Sequence, residues 1–234
     1  MAQGFFMFAS PFTLRLVACA LTALSIGSAM ASPALSWNLS RDIYLAETQG
    51  STSTNPVGAW TFMSVVGTTY TALNAGQTCS ANVGSAMCWT PAVGQFPIIW
   101  TNDTTHLSPP SAMWDAALAH LHPGWPEAAG VRWTSPINGK VDILGRFSDV
   151  DPGLMNGSNG VSWRIVQNPG NVILQSGTAF DTTGIGDGDT FKVLGLSVSQ
   201  GDTVEFIVDA KSGNIAHDTT DLDVLITSQL KGKK

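Results

Sequence analysis

The sequence predicts an all-β protein, a two-sheet antiparallel sandwich of jelly-roll type. Three observations predict it. From Val131 onward apolar residues recur at every second place, as in Val141-Asp142-Ile143-Leu144-Gly145-Arg146-Phe147 and Thr203-Val204-Glu205-Phe206-Ile207-Val208. Gly, Asn, Asp and Pro fill the gaps between these runs, as turns between half-buried strands require. No helical pattern alternates with the strands in the manner of a parallel α/β sheet.

Residues 1–31 read as a secretory signal peptide. Arg15 precedes an apolar run, Leu16 to Ile26, and a small-residue stretch ends at Ala29-Met30-Ala31. The run is too short, and too rich in Ser, Thr and Gly, to anchor the chain in a bilayer. Leu16-Val17-Ala18-Cys19 resembles a lipobox, but Arg15 stands directly before it and the apolar run continues past Cys19. Residues 32–234 then form a single β-sandwich domain, with a loop-rich first part (32–110) and regular strands after it (111–230).

In the first part, strand-like pieces occur at Ala59–Val66, Thr68–Leu73 and Pro97–Thr101. Trp37, Trp60, Phe62, Trp89, Phe96 and Trp100 supply large apolar groups. Ser111 to Leu121 reads equally as a short helix or as a strand. The later strands are Val131–Pro136, Val141–Phe147, Val161–Ile165, Thr203–Val208 and Leu222–Thr227. Val141, Ile143 and Phe147 share one face; Val204, Phe206 and Val208 oppose Thr203, Glu205 and Ile207. One face of each sheet is therefore apolar, and the other is polar with scattered aliphatics. Trp133 and Trp163 fall in phase with the inward face, so both are expected in the core.

A formal charge of −6 with 12% charged residues argues against a nucleic-acid partner. Lys231, Lys233 and Lys234 read as a solvated tail. No second apolar segment follows the leader, so no transmembrane anchor is expected, and the product is expected in the periplasm or outside the cell. Cys79 and Cys88, an even pair bounding a short loop, are expected to form a disulfide in an oxidising compartment. A thiolate metal site would need C-x-x-C spacing and further ligands.

The order Asn55-Pro56-Val57-Gly58-Ala59-Trp60-Thr61-Phe62, Leu121-His122-Pro123-Gly124 and Val131-Arg132-Trp133-Thr134-Ser135-Pro136-Ile137-Asn138-Gly139 is similar to secreted bacterial proteins with a carbohydrate-binding-module-like jelly roll. Such domains occur in PEP-CTERM-type exported proteins. Gly201 to Val208 and Asp218 to Asp223 resemble that family's later motifs. The likeness rests on strand starts, turns and core aromatics. Val57 stands where the family usually has Asn, and the sorting signal is missing, so anchoring by that route is not carried over. The resemblance implies a β-sandwich whose usual ligand class is a glycan.

Four kinds of chemistry deserve weighing on the residues themselves. His120-Leu121-His122 with Glu127 suggests a cupin-like metal site, since alternate strand residues share a face. Pro123, Gly124 and Pro126 interrupt that strand, and His217 alone is left for the second ligand segment. The acidic loops Asp149–Gly160 and Asp181–Asp189, and the cluster Asp209, Asn214, Asp218, Asp221 and Asp223, suit a structural calcium ion, for which Asp209, Asn214, Asp218 and Asp223 are the named candidates. Trp89, Trp114 and Trp125 lie beside turns or cysteines and are the candidates for stacking on a sugar ring. Catalysis is not expected: there is no marked carboxylate pair, nucleophile elbow, P-loop or dinucleotide fingerprint. The sequence therefore favours an exported, non-enzymatic protein binding an extracellular polysaccharide or envelope component. A structural envelope or matrix protein is the alternative, and a metal-dependent enzyme using His120, His122 and Glu127 the weaker one.

Overall fold

A computed structural model describes residues 34–48, 54–76, 88–92, 94–101, 106–108, 112–114, 118–150, 159–180 and 188–229. Met1–Ala31 and Ser32–Lys234 are separate units, and all described residues belong to the second. The expected signal peptide, Cys79, most of the acidic loops and the side chain of Trp114 lie outside the described residues. Cys88 is disulfide-bonded.

The strands are β1 (Ser36–Asn38), β2 (Trp60–Val66), β3 (Thr69–Ala72), β4 (Asn74–Gly76), β5 (Cys88–Thr90), β6 (Ile98–Trp100), β7 (His106–Ser108), β8 (Ala112–Trp114), β9 (Ala119–His122), β10 (Ala128–Thr134), β11 (Gly139–Asp149), β12 (Val161–Asn168), β13 (Val172–Ala179), β14 (Gly188–Val198), β15 (Thr203–Ala210) and β16 (Thr220–Ser228). They form two antiparallel sheets packed as a jelly-roll sandwich. One runs β14-β11-β16-β9-β6-β5-β4, with β1 also paired to β16; the other runs β13-β12-β15-β10-β2-β3. A separate hairpin joins β7 and β8. Within Ser111–Leu121, Ala112–Trp114 and Ala119–Leu121 are strand and Leu118 is a bend before β9.

Alternation works as expected on the inward faces. Ile143 and Phe147 from β11, Val204, Phe206 and Val208 from β15, and Leu222, Val224 and Ile226 from β16 are all fully buried in one core. Trp133 and Trp163 join them, so both are interior residues. The outward face departs from the expectation. Ile207 is fully buried there, in a second cluster with Met63, Val65, Ala128 and Val166, and Glu205 is buried beside it. The central strand β15 is therefore covered on both sides.

The other departure is α1 (Leu39–Thr48), in a stretch expected to be loop and strand. Asn38 caps it, its Oδ1 accepting from the Arg41 N–H at 2.8 Å, and Leu39 and Ile43 bury the face four residues apart. Asn38→Ala is expected to cost about 1 kcal/mol, read as a lower chemical-denaturation midpoint at unchanged slope.

Candidate functional site

The segment joining β9 to β10, Pro123–Glu127, runs from the larger sheet to the smaller one and carries the most exposed large side chain in this region. A tight turn forms it: the Gly124 N–H donates to the Glu127 carbonyl at 2.7 Å. Gly124 is needed because a Cβ there would meet the Phe96 Cβ at 3.0 Å, so glycine lets the two segments approach. At the apex Trp125 is 63% exposed.

One face of Trp125 rests on Gly213, in the 3-10 turn Lys211–Gly213 that follows β15. A Cβ built on Gly213 would lie 3.1, 3.3 and 3.4 Å from the indole Cε2, Cδ2 and Cζ2. Near-equal distances to a ring-fusion bond and its neighbour mean an approach to the ring face rather than its edge. Gly213 also holds φ at +75°, where a side chain is strained. The backbone thus makes a flat seat for the indole.

Phe96, 39% exposed, stands on the other side of a groove of about 320 Å³ lined also by Gln95, Glu127 and Ile215. Phe96 is braced by the His122 ring, with centroids 4.5 Å apart. The His122 Nδ1–H donates to the Pro123 carbonyl at 2.9 Å, which fixes that ring. The Glu127 carboxylate, the Gln95 amide and the Trp125 indole N–H have no partner among the described residues. The groove therefore offers an aromatic platform together with one unused donor, one acceptor and one group that is both.

The other candidate residues fare differently. Trp89 was expected to be accessible and is wholly buried: β5 turns it inward, its ring stacks on Phe62 at 3.6 Å between centroids, and its Nε1–H donates to the Thr54 carbonyl at 3.0 Å. Trp114 lies on β8, and its side chain is outside the described residues. Of the three, the structure places Trp125 on a groove. Sequence reading missed Phe96, Gln95 and Gly213; the available signal was an aromatic in a Gly-, Gln- and Pro-containing turn, Gly94-Gln95-Phe96-Pro97.

The calcium set is not brought together. Asp209 follows inward-facing Val208 on β15 and points outward from the smaller sheet, where its carboxylate accepts from Arg164 Nη1. Asp223, between inward-facing Leu222 and Val224 on β16, points outward from the larger sheet. The thickness of the sandwich separates them. Asn214 Oδ1 accepts from the Ala216 N–H at 3.0 Å, and Asp218 is fully buried. Among the described residues no three His, Cys, Asp or Glu side chains are grouped closely enough to hold a metal ion.

Nor, among the described residues, does such a group form around His120, His122 and Glu127. His120 is fully buried; its Nδ1 bonds to the Asp221 carboxylate, and its ring lies 5.3 Å from that of Trp100. Ser148, Asp221 and His120 lie directly opposite one another on β11, β16 and β9. That row holds the three residue types of a hydrolytic triad in an order that does not work: the carboxylate lies between the hydroxyl and the imidazole, so the base cannot reach the nucleophile. Ser148 Oγ is buried and has no hydrogen-bond partner among the described residues.

No family model matches the chain, and no curated protein is similar to it at a significant level. Among solved structures, the chain is similar to a family 51 carbohydrate-binding module from Clostridium perfringens, in complex with methyl-galactose, at 12% identity over 62% of this chain and 90% of that one, with a TM-score of 0.34. A family 36 carbohydrate-binding module of a xylanase from the hindgut metagenome of Trinervitermes trinervoides is 14% identical over 73% and 97% of the two chains, with a TM-score of 0.33. A cyclase from Fischerella sp. TAU, in complex with 4-(1H-indol-3-yl)butan-2-one, is 11% identical over 85% and 100%, with a TM-score of 0.39.

Proposed function

We propose that this protein is an exported, non-enzymatic β-sandwich that binds an extracellular glycan in the groove between Trp125 and Phe96. The observation that carries this reading is the open face of Trp125, 63% exposed while its other face is seated on Gly213. An indole held flat on a backbone seat with its other face open is preorganised to stack on a ligand ring. A pyranose ring offers a flat patch of C–H groups for the indole and hydroxyls for Glu127 and Gln95. The leader-like residues 1–31 and the expected Cys79–Cys88 bridge agree with work outside the cytoplasm.

The test is retention of the purified chain on a panel of immobilised neutral polysaccharides, followed by calorimetry with oligosaccharides of whichever is retained. Trp125→Ala is expected to weaken binding by about 2 kcal/mol, close to thirtyfold, as for a truncated aromatic anchor. Gly213→Ala is expected to weaken it severalfold, because the new Cβ forces the indole off its seat. Binding undiminished by Trp125→Ala, or a panel that retains nothing, would overturn the reading.

A further inference from the structure

A second groove, of about 460 Å³, lies on the outer face of the six-stranded sheet, lined by Thr68, Tyr70, Arg132, Asn168, Pro169 and Thr203. Arg132 stands at its centre on β10 and is held from two sides. Its Nε–H donates to Glu205 Oε1 at 2.7 Å, and its guanidinium carbon lies 4.8 Å from the centroid of the Tyr70 ring. Glu205 is buried and is itself fixed, accepting from Thr203 Oγ1 at 2.5 Å and Asn168 Nδ2 at 2.9 Å.

This arrangement orients the guanidinium but uses only one of its nitrogens. Neither terminal nitrogen of Arg132 has a partner among the described residues, and its side chain is 23% exposed. Two parallel N–H groups on a pre-positioned, half-desolvated fork match the two oxygens of a carboxylate. Around them stand three hydroxyls. Those of Tyr70 and Thr203 already donate, to Asn171 Oδ1 and to Glu205, and retain lone pairs that accept. Thr68, on the exposed turn between β2 and β3, carries a hydroxyl able both to donate and to accept. Beside these polar groups, Pro169, Gly201 and the Tyr70 ring give the lining a small apolar surface. A ring bearing both hydroxyls and a carboxylate fits this lining.

We propose that this groove is a second ligand site, binding an acidic sugar with its uronate carboxylate on Arg132 and its ring hydroxyls on Thr68, Tyr70 and Thr203. It does not rest on the Trp125 groove: Arg132 lies five residues beyond Glu127 along β10, about 17 Å of strand.

The experiment is an NMR titration of the purified chain, at low salt, with glucuronate, glucose and acetate in parallel. Glucuronate is expected to give saturable shifts around β10, β15 and the β2–β3 turn, with glucose and acetate each bound at least about tenfold more weakly, the worth of one charge-assisted hydrogen bond. Arg132→Lys keeps a cation against Glu205 but loses the fork, and is expected to weaken glucuronate at least fivefold. Thr68→Ala, on an exposed turn, is expected to weaken it about threefold and keeps the test available should the Arg132 variant fold poorly. Equal binding of glucose would make the site indifferent to charge, and equal binding of acetate would make it indifferent to the sugar; either result overturns the proposal. So would an undiminished response in both variants, or no saturable response to glucuronate.

Discussion

Phe206→Ala is expected to lower stability by about 4 kcal/mol, within the range for deleting a buried aromatic side chain from a core. Phe206 is fully buried at the middle of β15, opposite Ile165 of β12 and Val131 of β10. Its ring reaches the larger sheet, 5.7 Å from Phe191 of β14, and lies 6.5 Å from Trp60 of β2. Phe191 in turn contacts Phe147 at 5.3 Å, and Phe147 stacks on Trp163 at 4.9 Å. A chain of rings therefore links the two sheets, and Phe206 is where it crosses to β15. The cavity left by truncation cannot collapse easily, because the strands on either side of β15 are fixed by continuous ladders. At roughly 2–4 °C per kcal/mol for a chain of this size, the melting midpoint is expected to fall by about 10 °C. Phe206→Leu, which fills most of the volume, is expected to recover more than half of that loss. A fall of less than about 3 °C for the Ala variant would show that the rings do not bind the sheets together.

The interior of this protein was legible because strands buried on one face leave a period of two in the sequence, and Trp133, Trp163, Phe147 and Phe206 all follow it. Helix α1 was hidden because its segment, Leu39-Ser40-Arg41-Asp42-Ile43-Tyr44, is short and polar; the clue was Asn38 as a cap with Leu39 and Ile43 one turn apart. Nearness along the chain misled in the calcium set. Asp209 and Asp223 look like neighbours, yet the chain changes sheet between them and each points away from the core. Trp89 and Trp125 are equivalent as sequence, both beside turns. What separates them is pairing: β5 presents Trp89 to Phe62, whereas Trp125 sits at a turn where its partner is a glycine. Arg132 and Glu205 lie opposite each other only through the register of β10 and β15, which no local pattern reveals.

Glu205→Gln, a change of nearly constant shape, is expected to cost about 3 kcal/mol. The reason is the direction of the bonds around it. Oε1 accepts from both Arg132 Nε and Thr203 Oγ1, and Oε2 accepts from Asn168 Nδ2. All three neighbours donate, so an ionised carboxylate, which only accepts, satisfies every one. A glutamine must turn an NH2 toward either the Arg132–Thr203 pair or Asn168. Asn168 cannot flip to receive it without loss, since its Oδ1 accepts the Asn171 N–H at 3.0 Å in the turn between β12 and β13. The substitution thus removes a charge-assisted bond and faces donor against donor in a buried site, each worth about 1–3 kcal/mol. It also leaves Arg132 without its counter-charge. By the same scaling as for Phe206, a drop in melting midpoint of about 6–12 °C is expected. Glu205→Asp keeps the charge but shortens the reach to Arg132, so its loss is expected to be comparable and to be accompanied by a looser Arg132, visible as exchange broadening of its Nε–H signal. If Glu205→Gln melted with the parent chain, the convergence of three donors on this carboxylate would contribute nothing to the fold, and Arg132 would be positioned by Tyr70 alone.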